Sequence, residues 1–273
     1  MEHWICQTCG TQFSQSETPP EGCPICQDQR QYIGHNGQHW TTIAQMQADG
    51  SHNIFKEHEP GLIGVGMEPK FAIGQRALLV QTPKGNILWD CISLLDEQTA
   101  QQVEQLGGIY AISISHPHYY SSMVEWATRF DAPIYLHESD RQWVMRPDER
   151  IQFWSADQLK LLDDITVLRP GGHFPGSTVL HWPNGANGRG VLLSGDTISV
   201  AADRRWVSFM YSYPNLIPLP ASAIRYIRDT IEPYPFERLY SAWFETIVES
   251  DAHQAVIRSA ERYIQALEGI FPA

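Results

Sequence analysis

Positive charge is scarce in this chain: 19 Lys and Arg stand against 31 Asp and Glu over 273 residues, a formal net charge of −12. That balance argues against nucleic acid or an acidic membrane surface as the main partner, although it leaves room for a local basic pocket. Long apolar runs are missing as well. The longest uncharged stretches, 105–124 and 206–224, are interrupted by two His and a Pro and by three Pro respectively, so neither reads as a membrane span. The N-terminus has no basic flank, apolar core or small-residue cleavage site, and a reducing cytoplasm is the expected compartment. There is no Gly-x-Ser-x-Gly elbow, which leaves serine hydrolysis unsupported, and the glycine clusters lack the Lys-Ser/Thr ending of a phosphate-binding loop and read as turns. No internal repeat or low-complexity tract occurs. What is present is globular: 42% hydrophobic residues, with 9 Trp, 11 Tyr and 10 Phe to fill an interior.

Cysteine is rare outside one place. Of five, four fall in the first 26 residues as Cys6-Gln7-Thr8-Cys9 and Cys23-Pro24-Ile25-Cys26, separated by 13 residues. In a reducing compartment that crowding points to metal ligation over disulfides. Each knuckle lets two thiolates grip one ion, and four sulfurs close a tetrahedron. Gly10 and Pro24 permit the sharp bends this needs. A closed four-sulfur site has no open position, so its expected role is to hold a short segment folded, with electron transfer as the alternative. The run from Trp4 to Cys26, with Cys9-Gly10, Pro19-Pro20 and Cys23-Pro24-Ile25-Cys26, resembles the rubredoxin-like domain of rubrerythrins, which implies iron. Zinc ribbons share the spacing, and both ions stand. The expected organisation is a ribbon at 1–40, a linker at 41–71 leading into the main domain, and that domain at 72–273.

From Ala72 onward short apolar runs alternate with amphipathic stretches, the pattern of a layered α/β domain. Strands are predicted at 77–81 and 87–89, joined as a hairpin through Pro83-Lys84-Gly85-Asn86, and at 111–115, 134–136, 165–168, 178–181 and 191–194. Helices are predicted at 98–106, 122–130, 220–231 and 251–267, where apolar residues recur at three and four.

Chemistry-bearing residues gather where these strands end. Ile112-Ser113-Ile114-Ser115 runs into His116-Pro117-His118, which places two imidazoles so that both can face one ion. His173 follows in Gly171-Gly172-His173-Phe174-Pro175-Gly176-Ser177, and Leu192-Leu193-Ser194-Gly195-Asp196 ends another strand in a carboxylate. Three imidazoles and one carboxylate make a credible shell for a borderline divalent ion.

These residues, together with the hairpin 78–89 ending in Asp90, resemble the metallo-β-lactamase-fold hydrolase superfamily over roughly residues 72 to 245. The resemblance implies an αββα sandwich with its metals at one edge between two sheets. It also implies the motifs His-x-His-x-Asp-His, Gly-His-x-Pro-Gly-Ser/His, Gly-Asp and a final His. Carried over, His116, His118 and His173 match the three-imidazole site and Asp196 the carboxylate that bridges two metals. Tyr120 stands where the family has Asp, Ser121 where it has the fourth His, and 239–244 offers Trp243 and other aromatics where the last His is expected. One catalytic ion is therefore expected.

Three readings stay open. The first is a mononuclear hydrolase of activated carbonyls (thioester, lactone or ester), working on a small-molecule substrate through metal-bound hydroxide. In it zinc or iron is held by the His/Asp site, Asp196 completes the shell or serves as general base, and Tyr120 donates to the oxyanion. The second is a mononuclear non-haem iron enzyme like the persulfide dioxygenases, with His116, His173 and Asp196 as triad. The third is a catalytically retired binding protein in which Tyr120, Ser121 and Trp243 plug a vestigial site.

The remaining candidates receive blander expectations. His3, His35, His39, His52 and His58 are expected to be solvated, His137, His181 and His253 structural, and Cys91 a buried inert thiol. The stretch 201–220, with Trp206, Phe209, Tyr211 and Tyr213, either walls the site mouth or fills core. Arg204 and Arg205 either meet an anionic group or stand in solvent.

Overall fold

The computed structural model describes residues 1–162 and 164–270. The chain divides into two compact units, Met1–Trp154 and Ser155–Ala273. No helix among the described residues is long and apolar enough to cross a membrane.

The first unit opens with β1 (Ile5–Cys6), the single turn α1 (Pro24–Gln27) at the second cysteine pair, and β2 (Trp40–Thr41), which pairs antiparallel with β1. Then comes α2 (Ile43–Ala48), whose first turn is capped by the Thr42 hydroxyl accepting from Gln45 N–H. A seven-stranded sheet follows in spatial order: β3 (His52–Glu59), β4 (Leu62–Glu68), β5 (Ala77–Val80), β6 (Ile87–Trp89), β7 (Ala111–Ser113), β8 (Ile134–His137) and β9 (Ile151–Trp154). Neighbours run antiparallel as far as β6 and parallel from β6 to β9. Parallel neighbours need long crossovers, and α3 (Glu97–Gln105) and α4 (Met123–Phe130) supply two of them. Asp96 caps α3 by accepting from Thr99 N–H at 2.7 Å, and α4 stops at Asp131, which turns left-handed (φ 48°). Every residue of β5, β6 and β7 is buried, as strands covered on both faces require.

The segment 41–71, expected as a linker, is not one: it forms α2 and the β3–β4 hairpin at the edge of this sheet. Lys56 and Glu57 on β3 and Gly64 and Gly66 on β4 mask its alternation, because the outermost strand keeps much of its surface in solvent.

The second unit carries a six-stranded sheet in the order β10 (Gln158–Leu162), β11 (Ile165–Leu168), β12 (Val179–Trp182), β13 (Val191–Gly195), β18 (Arg238–Ser241) and β19 (Ile247–Val248). Only β13 and β18 run parallel. A short turn, α5 (Gly185–Gly188), links β12 to β13. Two small ribbons, β14 (Ser199–Val200) with β15 (Val207–Ser208) and β16 (Met210–Ser212) with β17 (Ile217–Pro218), precede α6 (Ala221–Ile231), and α7 (Ala252–Leu267) closes the unit. The amphipathic faces behave as their spacing predicts: Ile224, Ile227 and Ile231 of α6 and Ala255, Val256, Ala260 and Ile264 of α7 enter one core with Leu192, Phe209 and Leu239. Each buried isoleucine contributes on the order of 2 kcal/mol.

Candidate metal centres

The four N-terminal cysteines are buried and their sulfurs converge. Cys6 Sγ lies 3.5 Å from Cys26 Sγ, and Cys9 Sγ 3.7 Å from Cys23 Sγ. Four thiolates about 2.3 Å from one ion in a tetrahedron stand about 3.8 Å apart, so the cage has the right size for zinc or iron and fits a zinc ribbon. Gln38 Nε2 donates to Cys6 Sγ at 3.1 Å, the kind of contact that offsets charge on a thiolate. Crowding splits the thiols. Hydrogen bonds from Cys23, Cys26 and Cys9 push Cys6 far below the thiol range, while sharing with Cys23 first of all holds Cys9 and Cys26 far above it. A bound cation is what allows all four to ionise together.

In the first unit, β7 delivers His116 and His118 beyond its carboxyl end. Asp90, in left-handed conformation (φ 62°), closes β6, and its Oδ1 accepts from Ser115 N–H at 2.7 Å. Ser115 Oγ lies 2.9 Å from His116 Nδ1, a contact that fixes the ring and makes Nε2 the nitrogen that would meet an ion. Pro117 opens a 3₁₀ turn, Pro117–Tyr119, that swings His118 to within 5.1 Å of His116, centroid to centroid, while Tyr119 stands edge-on to His116 at 4.6 Å.

In the second unit His173 sits in a tight loop. Gly171 N–H donates to Ser177 O and Phe174 N–H to Ser177 Oγ at 2.8 Å. Gly172 has φ 91°, and a Cβ there would come within 2.9 Å of Ile227 Cδ1 and 3.0 Å of Leu219 Cδ1, so glycine is required. His173 Nδ1 is 3.1 Å from Met210 O, which sets the tautomer with the proton on Nδ1 and the Nε2 lone pair for a ligand. Asp196 follows β13, where Ser194 Oγ donates to Ile198 O at 2.7 Å and Tyr213 hydroxyl to Asp196 O at 2.9 Å.

One ligand atom from each of His116, His118, His173 and Asp196 lies within 4.8 Å of the others, and all four residues are buried. This set and the cysteines are the two clusters found among the described residues that could hold a metal ion. Three neutral nitrogens and one carboxylate suit a zinc-like or ferrous ion. Tyr120 is buried, and burial first, then the charge of Asp140, pushes its hydroxyl well above the ordinary phenol range. Ser121 (φ 44°) donates to Cys91 O and accepts from Gln75 Nε2. At the end of β18, Ser241 Oγ donates to Gly195 O at 3.1 Å.

The other expectations divide. Cys91 is wholly buried, and burial raises its thiol well above the usual value, as an inert core thiol requires. His137 Nδ1 accepts from Ser139 N–H, His181 Nε2 meets Pro235 O at 2.8 Å and His253 Nε2 meets Glu232 O at 2.9 Å, all structural roles. His35, His39 and His52 are exposed, but His3 and His58 are not simply solvated: His3 Nδ1 meets Phe13 O at 2.9 Å, and the buried Arg76 reaches His58 Nε2. In 201–220 the aromatics separate by residue: Phe209 is core, Trp206 lies under the Arg262 guanidinium at 3.5 Å, and Tyr213 is tied to Asp196. Arg204 and Arg205 are exposed and ion-paired with Glu245 and Asp203. The orienting groups Ser115, Met210 O and Tyr213 went unassigned in the sequence. Ser115, adjacent to His116, had a local signal there; a backbone carbonyl has none.

No family model matches the sequence. The chain is 53% identical over 268 residues to the uncharacterized protein YmaE of Bacillus subtilis (strain 168), covering 98% of this chain and 97% of that one. Among solved structures it resembles VMB-1 (TM-score 0.58, 16% identity, 79% of this chain and 98% of that chain) and the metallo-β-lactamase FIM-1 from Pseudomonas aeruginosa in its mono-zinc form (0.56, 16%, 78% and 96%). It also resembles the metallo-β-lactamase DIM-1 (0.58, 13%, 77% and 96%). The fold is that of the metallo-β-lactamases, an αββα architecture, with a four-cysteine ribbon added at the N-terminus.

Proposed function

We infer that this chain, which belongs to the same family as YmaE of Bacillus subtilis, is a mononuclear metal-dependent hydrolase acting on an activated carbonyl of a small molecule: a thioester, lactone or ester. The observation that carries the reading is the convergence of His116, His118, His173 and Asp196 to within 4.8 Å. Tyr120, Ser121 and Trp243, at positions where the resemblance puts further ligands, favour a single ion, and FIM-1 provides a mono-zinc form of the same fold. A bound divalent ion supplies Lewis-acid polarisation and lowers the pKa of water toward neutrality.

In this reading the three imidazoles would hold the ion, with His116 and His173 turned for Nε2 coordination because Ser115 and Met210 engage their Nδ1 atoms. Asp196, with no second ion to bridge, accepts the proton of the attacking water. Tyr120 keeps its proton because burial raises its pKa, and so serves as a hydrogen-bond donor to the developing oxyanion. Lacking a second cation opposite the leaving group, the site suits substrates whose leaving group departs easily. The four-cysteine site holds a structural ion.

The test is elemental analysis of protein purified without added metal, joined to a panel of thioesters, lactones and esters. Stoichiometric metal at the His/Asp site, turnover on that panel, and loss of both in a folded His173→Ala variant support the reading. Iron at that site without hydrolysis transfers it to the iron oxidoreductase class, and a loaded site inert to every substrate makes it a binding protein.

A further inference from the structure

The ribbon does not stand apart from the half of the site that carries His116 and His118. Gly10, directly after Cys9, has φ 85° and passes so close to Ser93 that a Cβ would come within 2.6 Å of its Oγ, and Ser93 Oγ donates to Gly10 O at 2.9 Å. Two residues on, Gln12 N–H donates to Ser121 O at 3.0 Å. Gln12 Nε2 reaches Glu125 Oε1 at 3.2 Å, and Arg146 bridges the Gln12 and Glu125 side chains. Gln12, Ser93 and Ser121 are 3%, 2% and 3% exposed, so these bonds are shielded from competing water.

Both anchors land on the segments that aim the imidazoles. Ser121 lies three residues beyond His118 and is held in a left-handed conformation that a serine adopts only when its surroundings impose it. Ser93 lies three residues beyond Asp90, whose carboxylate fixes Ser115 and through it His116. The anchoring residues also belong to the sulfur cage: Gly10 N–H donates to Cys6 O and Cys6 N–H to Thr11 O, closing the first knuckle.

We propose that the four-cysteine ribbon is a positioning element of the His/Asp site, and that Gln12, Ser93 and Ser121 couple occupancy of the sulfur cage to the affinity of His116 and His118 for their ion. A knuckle of this size draws its folding free energy from the metal it binds. Emptying it releases Gly10 and Gln12, and with them one restraint on the segment that carries Asp90 and one on the loop carrying His118. Coupling of this kind is reciprocal: loading either site tightens the other. The inference rests on the metal-binding reading above.

The full chain carrying Cys9→Ser and Cys26→Ser is titrated with zinc against a chromophoric chelator, alongside the wild type and Ser93→Ala. The cysteine variant is expected to bind zinc at the His/Asp site at least tenfold more weakly while far-ultraviolet circular dichroism keeps the sheet signal. Ser93→Ala retains the sulfur-bound ion and loses one anchor worth about 1 kcal/mol, which is about fivefold in affinity. His/Asp affinities within twofold of wild type in both variants overturn the proposal. If the cysteine variant unfolds, Ser93→Ala alone decides. A wild type that loads only the sulfur cage overturns the hydrolase reading and this inference together, whereas two loaded sites without coupling overturn this inference alone.

Discussion

The imidazole Nδ1 of His173 lies 3.1 Å from the carbonyl oxygen of Met210, in the first residue of β16, thirty-seven positions along the chain. Tyr213, one residue past that strand, sends its hydroxyl to the carbonyl of Asp196 and stands 5.7 Å from the His173 ring. One short strand with its following residue therefore orients an imidazole and tethers the residue that provides the carboxylate.

Tyr213→Phe keeps the ring and removes the tether. Outer contacts of this kind tune metal affinity by roughly 10- to 100-fold in known sites. The expected outcome is a severalfold to tenfold weaker dissociation constant for zinc at the His/Asp site, measured by chelator competition, with the urea midpoint little changed. Unaltered affinity would separate the Tyr213 hydroxyl from the site.

On the imidazole pair of the first unit, Asp90 and Ser115 form a relay to His116. Ser115→Ala frees Nδ1 and permits the wrong tautomer. Its zinc affinity is expected to fall about tenfold, and a cobalt-substituted sample should show a shifted visible absorption. A spectrum superimposable on wild type would show that Ser115 does not hold the ring.

Gly172→Ala tests the loop rather than the ligand. The new methyl meets Ile227 and Leu219 at 3.0 Å or less and sits at φ 91°. Strained backbone and overpacking together cost about 2–4 kcal/mol, to be read as a fall in the urea midpoint. Because the displaced groups adjoin His173, metal affinity is expected to fall in parallel.

Much of this was legible beforehand, for a physical reason. Strands β5 to β8 and β11 to β13, with α3, α4, α6 and α7, lie close to the predicted ranges because each buries a continuous or periodic apolar face. The β3–β4 hairpin was missed because Lys56, Glu57, Gly64 and Gly66 break that signal at a sheet edge. His116, His118, His173 and Asp196 could be picked out because ligands at strand ends leave side-chain spacings in the sequence. Met210 O acting on His173, and Gly10 against Ser93, involve backbone atoms at long sequence separation, where residue identity carries almost no information.

Three buried hydroxyl and thiol groups make stability fall in alkali. Burial is the leading cause that pushes Cys91, Tyr120 and Tyr213 well above their ordinary values, with the charge of Asp140 adding at Tyr120 and that of Asp196 at Tyr213. In the unfolded chain these groups ionise near about 8.5 for the thiol and about 10 for the phenols. The folded state therefore retains protons that the unfolded state has released. The sign follows: their contribution is complete below the unfolded values and is lost as pH climbs from there toward the raised folded ones. Each group adds up to about 1.4 kcal/mol of lost stability per pH unit within its window. Urea midpoints taken from pH 7.5 upward are expected to decline from about pH 8.5 and more steeply beyond about 10. Cys91→Ala shifts the whole curve by a constant cavity cost but flattens its first segment, and Tyr213→Phe flattens the second. Since the ribbon cysteines are common to every variant, their titration cancels in the difference. A Cys91→Ala curve running parallel to wild type between about pH 8.5 and 10 would mean that the buried thiol ionises as readily folded as unfolded, contrary to its complete enclosure.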